Sequence, residues 1–271
     1  PSRGHAGLSA DAWNRQVDAF DVSGLARQLD AVGAGYFCIT IGQGSGHYCA
    51  PNETYDAITG IAPSKCSRRD LVSDLHAELA SRRIRLLVYS AAELSWGDPQ
   101  ARAGLKLQHH HSDPGSGGTA IWRQYRQVPF MRNVEAIHGD WSRRWGSRIS
   151  GWWIDSCYFA DAMYAHAEPP NFASFAAALR AGNPNAAVAF NPGWVPPVSA
   201  MTPEADYTAG EAALVLPTVP GRFTDPAWHA GTFPPPHGRQ IHVLSYLGSY
   251  WARPDIRFPD AMVQGYTRHV I

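Results

Sequence analysis

Ile149-Ser-Gly-Trp-Trp-Ile-Asp155 decides how the chain is read. It is an apolar run of strand length that stops on a carboxylate. Working outward, similar runs alternate with segments of helical period. Upstream, Tyr36-Phe-Cys-Ile-Thr-Ile41 and Ile84-Arg-Leu-Leu-Val-Tyr89 read as strands buried on both faces. Helices are predicted before them: one over 22–33, with Leu25, Leu29 and Val32 in phase and Gly33 ending it, and one over 69–82, with Leu71, Leu75, His76 and Leu79 on one side. A long helix is expected over about 120–145, broken near Pro129, and another over 171–181, ended by Gly182. Downstream lie a strand at Ala187-Val-Ala-Phe190, a weaker one at Asp206-Tyr-Thr208, another at Ile241-His-Val-Leu-Ser-Tyr246, and a last helix over 260–270.

Repeated strand–helix units imply a parallel sheet, because parallel strands need crossover connections. The segments after the strands are long (42–67, 91–118, 156–168, 191–203 and 247–258), while those before them are short. That asymmetry favours an α/β fold of the (β/α)8 TIM-barrel type, whose site is built at the C-terminal ends of the strands. A doubly wound open sheet is the competing topology. A barrel takes about 250 residues, so residues 1–271 are expected to form a single catalytic domain. No linker or internal repeat interrupts them.

Composition narrows the function. The 23 basic and 23 acidic residues cancel, which argues against nucleic acid as a partner. No apolar run approaches the roughly 20 residues of a membrane span. Ten tryptophans need a core or a ligand surface. No two of the four cysteines have the Cys-x-x-Cys spacing of a zinc ribbon or redox motif. Cys49 and Cys66 flank a loop that a disulfide can close, although four cysteines are too few for a framework. Pro1-Ser-Arg-Gly-His5 carries no signal peptide, and a trimmed chain would look the same. A secreted or periplasmic setting is favoured over a cytoplasmic one.

Asp155 is placed by its strand at the mouth of such a barrel. There it reads as a nucleophile or general base, or as an Asp that caps the next loop. Glu211, in Asp206-Tyr-Thr-Ala-Gly-Glu211, follows a weak strand and reads as a second site carboxylate or a solvated loop residue. Asp206 starts its strand and should lie at the opposite end. Glu93, after Tyr89-Ser-Ala-Ala, is a third strand-end carboxylate. Two such carboxylates on one face suit glycoside hydrolysis.

These stretches resemble a family. Asp18-Ala-Phe-Asp21, followed by Ala31-Val-Gly-Ala-Gly-Tyr36-Phe-Cys-Ile-Thr40, is similar to the early helix–strand unit of the α-L-fucosidases of glycoside hydrolase family 29. Arg68-Arg-Asp-Leu-Val-Ser-Asp-Leu75 and Arg83-Ile-Arg-Leu-Leu-Val-Tyr-Ser90, with Glu93, resemble its next unit. Gly151-Trp-Trp-Ile-Asp155 resembles its nucleophile strand, and the stretch ending at Glu211 resembles one that commonly ends Thr-Pro-Glu, whose Glu is the acid/base in some members. The resemblance covers about residues 5–265. It implies a retaining exo-glycosidase in which Asp155 attacks the anomeric carbon and Glu211 protonates the leaving oxygen, with Glu93 as the alternative acid/base. Residues expected around the sugar are His5, Gln43, His47, Tyr89, Glu93, Trp153, Tyr158, Asn191, Trp194 and Trp251.

The chain also departs from the family. Its sugar-binding His-His pair is replaced by Gln43 and Gly44 in Gly42-Gln-Gly-Ser-Gly-His47. Gln43 still offers a sugar hydroxyl both donor and acceptor, and a small Gly44 leaves room for a bulkier group. The expected substrate is therefore a terminal deoxy or related sugar of an oligosaccharide or glycoconjugate. The strand before His5 and the eighth strand are missing, so the barrel is expected to be incomplete at its first and last strands.

Rival readings are weaker. The glycines at 42, 44 and 46 resemble a dinucleotide loop, but Cys49-Ala-Pro-Asn52 follows where a phosphate-cradling helix should begin. No cofactor is expected. His109-His-His111 reads as a solvated loop, since adjacent residues rarely converge on one metal ion. Cys157 reads as a packed thiol. Trp96, Trp194, Trp228 and Trp251 fall in post-strand segments where sugar faces can stack. The alternative function is a catalytically inactive carbohydrate-binding barrel, and a cofactor-dependent α/β enzyme is the third.

Overall fold

The computed structural model describes residues 7–110, 113, 126–157, 163–193, 200–211, 240 and 242–245. His5, His111, Tyr158, Trp194, Trp228, Trp251 and the helix expected over 260–270 lie outside the described residues. The helices are α1 (Ala10–Asp18), α2 (Val22–Ala31), α3 (Glu53–Thr59), α4 (Leu71–Ala80), α5 (Pro99–Leu105), α6 (Val128–Trp145) and α7 (Phe172–Leu179). The strands are β1 (Tyr36–Thr40), β2 (Arg85–Ala91), β3 (Gly151–Asp155) and β4 (Ala187–Phe190). Among the described residues no helix is long and apolar enough to cross a membrane.

Helix starts follow from short polar side chains that accept otherwise orphaned backbone N–H groups. Ser9, Asp21, Asn52, Asp70, Asp98 and Asn171 cap α1, α2, α3, α4, α5 and α7 in this way. The long helix differs from expectation. Pro129 does not break it but sits in its first turn, where a missing N–H costs nothing. Three short helices escaped the periodicity reading: α1, and α3 and α5 inside segments read as loops.

β1 to β4 form a parallel sheet in chain order. The ladder continues in two bridged segments: Asp206 N donates to Val188 O (2.8 Å), Tyr207 bridges Gln240 and Glu211 bridges Leu244, both in parallel. They fall at or beside the weaker strand expected at 206–208 and the further one expected at 241–246, and appear as isolated bridges. One face of the sheet carries Ile39, Val88, Trp152, Ile154, Val188 and Phe190 into the main core, with Leu75 of α4, Trp141 of α6 and Phe175 of α7. The other face packs on itself, joining Cys38, Leu87, Tyr89, Trp153, Ala189, Tyr207, Ala209 and Leu244 in a second cluster to which, among the described residues, no helix contributes.

That second cluster requires curvature. Six strands laid flat separate the first from the last by roughly 24 Å. Yet the rings of Tyr36 in β1 and His242 in the last segment have centroids 6.2 Å apart. The sheet therefore curls back on itself around this layer. Gly151 is needed in that layer, because a Cβ there would stand 2.5 Å from Ala187 O. An open sheet with helices on both faces does not describe this arrangement.

The cysteines are free thiols, so Cys49 and Cys66 are not bridged. Burial pushes the Cys49 thiol up to about 12 and raises that of Cys66 as well.

Candidate active site

The register of the sheet builds a level row, Thr40–Tyr89–Trp153–Ala189, with Ala91 opposite Asp155 one step higher. Tyr89 stacks on Trp153 at 5.1 Å and 15°. Trp153 is fixed in turn by its indole N–H donating to Ala209 O at 3.0 Å. The two rings floor the concave side of the sheet, and Asp155 stands above them at the C-terminal end of β3.

Asp155 is 8% exposed and both its oxygens are engaged. The Tyr89 hydroxyl donates to Oδ2. Gln43 Nε2 donates to the Tyr89 hydroxyl at 2.7 Å and reaches Asp155 Oδ2 at 3.4 Å. Asn191 Nδ2 donates to Asp155 Oδ1 at 2.9 Å and to Glu211 Oε2 at 2.7 Å. One amide nitrogen thus bridges the two carboxylates that sequence had singled out. Their oxygens are no farther apart than those two bonds placed end to end.

Backbone geometry aims these groups. Asn191 follows β4 directly. Its N–H donates to Ile154 O (2.7 Å), its carbonyl accepts from Cys157 N (3.1 Å), and its Oδ1 accepts from Gly193 N (3.1 Å). Its amide is therefore held from several sides. Each strand-end carboxylate also has a left-handed neighbour: Leu94 (φ 45°) after Glu93, Ser156 (φ 61°) after Asp155 and Gly210 (φ 68°) before Glu211. Outside glycine this conformation costs energy, and it concentrates where side chains must be aimed.

The remaining residues are distributed as follows. Half-buried Glu211 is not the solvated loop residue of the alternative reading. Asp206 lies at the other end of its segment, paired with Arg180 at 2.6 Å and accepting from Val188 N, as expected. Glu93 is fully buried, 2.9 Å from His110 Nε2. His47 is buried beside Trp13, its Nε2 3.2 Å from Leu8 O. Gln43 is engaged with Tyr89 and Asp155.

Two expectations are overturned. Gly44 leaves no room for a bulkier group, because the Trp96 indole lies 2.6 Å from where a Cβ would stand. His110 is not a solvated loop residue; it is buried and stacked on Trp96 at 4.4 Å and 7°. Cys157 is packed, as read: its buried thiol lies 3.6 Å from the carbonyls of Ile154 and Asp155, and burial, with the Asp155 charge adding to it, raises its pKa. Among the described residues no group of His, Cys, Asp and Glu side chains could hold a metal ion.

No family model matches the chain, and no curated protein sequence matches it. Solved structures are similar in fold. An endo-fucoidan hydrolase of glycoside hydrolase family 107 is 18% identical with a TM-score of 0.53, over 73% of this chain and 34% of its own. A second endo-fucoidan hydrolase of that family is 14% identical with a TM-score of 0.51, over 74% and 60%. An α-L-fucosidase from Lactobacillus casei, bound to its α-L-fucose product, is 15% identical with a TM-score of 0.52, over 92% and 68%. The chain spans about a third of the length of the first of these. What it shares with these glycoside hydrolases is an α/β fold with a parallel sheet.

Proposed function

We propose that the chain is a retaining exo-glycosidase of the α-L-fucosidase type, acting on a terminal deoxy or related sugar, and that its curled sheet belongs to a (β/α)8 barrel. The observation that carries this reading is the Asn191 amide shared by Asp155 and Glu211. Two carboxylates that share one donor nitrogen suit the close spacing of about 5–5.5 Å of a retaining pair better than the roughly 6.5–9.5 Å an inverting pair needs for its water. The fold likeness to fucose-acting hydrolases is compatible with a deoxy sugar.

In this mechanism an oxygen of Asp155 bonds to the anomeric carbon while the glycosidic C–O bond breaks. The electrons of that bond go to the leaving oxygen, which takes the proton carried by Glu211. Glu211, now a carboxylate, then removes a proton from water. The water oxygen displaces Asp155 and the sugar leaves with its configuration retained. The donors on Asp155 orient it, and Trp153 and Tyr89 keep water from its lower side.

The test is a screen of aryl glycosides that includes the α-L-fucoside, with Asp155→Asn as the blank. Hydrolysis is expected, with retained configuration in the first-formed product. The blank should lose at least about 10²-fold in kcat, since removing a covalent nucleophile costs several kcal/mol of barrier. No hydrolysis of any glycoside, or a blank as active as the parent, would overturn the reading.

A further inference from the structure

A recess lies near the Gln43 side of the candidate site. Trp96, Gly97, Pro99, Arg102, His110 and Asp113 line a cavity of about 440 Å³, within the range of about 300–1,000 Å³ for small-molecule sites. It is joined to the site through Gly44: Gly97 N donates to Gly44 O at 2.8 Å, and Trp96 packs on the same glycine. Gly44 follows Gln43, whose amide touches Asp155. Trp96 and Gly97 of the cavity wall thus touch the residue next to Gln43.

The lining is braced. Trp96 is stacked on His110, which is buried against Glu93. Arg102 grips Asp113 with two bonds, Nη1 to Oδ1 at 2.5 Å and Nη2 to Oδ2 at 3.0 Å, and Asp113 also accepts from His110 N at 2.9 Å. The Arg102 guanidinium holds the Asp113 carboxyl down to about 2, so the pair stays ionised. Among the described residues the Trp96 indole N–H has no acceptor, which leaves it to a ligand.

These features select a ligand chemistry. One face of Trp96 is taken by His110, so what it offers a ligand is its indole edge and N–H donor, which suit a sugar hydroxyl. A planar Arg–carboxylate fork presents fixed donors beside fixed acceptors, matching neighbouring hydroxyls. Arg102 and Asp113 cancel, so an anion would have to displace Asp113 from Arg102. We propose that this cavity binds an uncharged sugar ring, the unit on the leaving-group side of the cleaved bond. The proposal rests on the glycosidase reading above and deepens it.

The experiment measures binding by calorimetry to the Asp155→Asn protein. The probes are L-fucose, 2′-fucosyllactose, and 2′-fucosyllactose sulfated on its galactose. The neutral trisaccharide should bind at least about fivefold tighter than L-fucose, and the sulfated one no tighter than the neutral. Adding Arg102→Gln should reduce the trisaccharide-to-fucose ratio to about one, and Arg102→Lys should restore it in part. Trp96→Leu, checked for an unchanged melting profile, should reduce the ratio in the same way. Equal affinities, a ratio that survives Arg102→Gln, or tighter binding of the sulfated probe overturns the proposal. Failure of all three sugars to bind overturns it too. A positive aryl-glycoside screen then leaves the glycosidase reading standing without this subsite, and a negative screen removes both.

Discussion

Asn191 is the side chain on which the site depends most. Two carboxylates this close repel one another unless a donor lies between them, and its amide supplies both hydrogens from one nitrogen. A hydrogen bond to a charged group contributes about 1.5–3 kcal/mol. Asn191→Ala is therefore expected to lower kcat by roughly 10- to 100-fold, with a smaller change in KM, in steady-state assays on protein that remains folded. A kcat within twofold of the parent would show that the bridge is idle. Ser156 makes a different prediction. Its φ of 61° is strained for a residue with a Cβ, so Ser156→Gly should be neutral to stabilising by up to about 1 kcal/mol, read as a higher urea midpoint. A clear loss of stability would mean that the serine makes contacts outweighing the strain. Tyr89 and Gln43 show a third feature of this scale: polar groups expected to face the sugar are engaged with the nucleophile candidate. Gln43→Ala should therefore act mainly on kcat, through the orientation of Asp155, and a change confined to KM would assign it to the sugar instead.

The elements work because their ends coincide. β2, β3, β4 and the segment at 206–211 all run parallel, so the polar residues that follow or close each one gather at a single rim. This much was legible in the chain: an apolar run stopping on Asp155, another running into Asn191, a weak strand reaching Glu211. What was not legible is whatever depends on contacts between distant segments. Gly44 reads as empty space, and only the fold brings Trp96 against it. His110 reads as a loop histidine because its partner Glu93 lies 17 residues earlier. Pro129 reads as a breaker because sequence does not say which residue begins the turn. The short helices α3 and α5 are too brief to display a period and owe their existence to caps and packing. At this scale Gly151 is the sharpest test. A Cβ there would press on Ala187 O at 2.5 Å, in the layer where β3 and β4 pair. Gly151→Ala should destabilise the protein by about 1–3 kcal/mol, measured by urea denaturation, and should lower activity by displacing Asp155 four residues along the strand. Wild-type stability would mean that the two strands separate without cost.

The described residues form a curled parallel sheet with helices packed on one face, so stability depends on the interface between those layers. His138 stands in the middle of it. It lies on α6, buried, with ring contacts to Trp141 and Trp152 at 5.9 Å and Phe175 at 5.1 Å. Its Nδ1 lies 2.8 Å from Val134 O and its Nε2 3.0 Å from Ser90 Oγ on β2. A carbonyl only accepts, so Nδ1 carries the proton and Nε2 accepts from the serine hydroxyl, which is a neutral ring. Burial lowers its pKa to about 4, against a smaller opposing effect of the bond to Val134. An unfolded chain binds this proton near pH 6.5, whereas the native state resists it until about pH 4. Between those values the unfolded state holds more protons, so stability is full above about pH 6.5 and falls as pH drops toward 4. The loss attributable to this one residue reaches about 3 kcal/mol. Other groups are shifted as well: His242 is also lowered by burial, and Asp56 and Glu135 are raised by it. The informative quantity is therefore a difference between two proteins. His138→Gln keeps a donor and an acceptor without the titration. Its urea midpoint should lie below the parent's at pH 7.5, and the gap should narrow steadily as pH falls from 6.5 to 4.5. A gap that stays constant across that range would mean that His138 takes up its proton in the folded state as readily as in the unfolded one, and that the layer interface is not where acid weakens this protein.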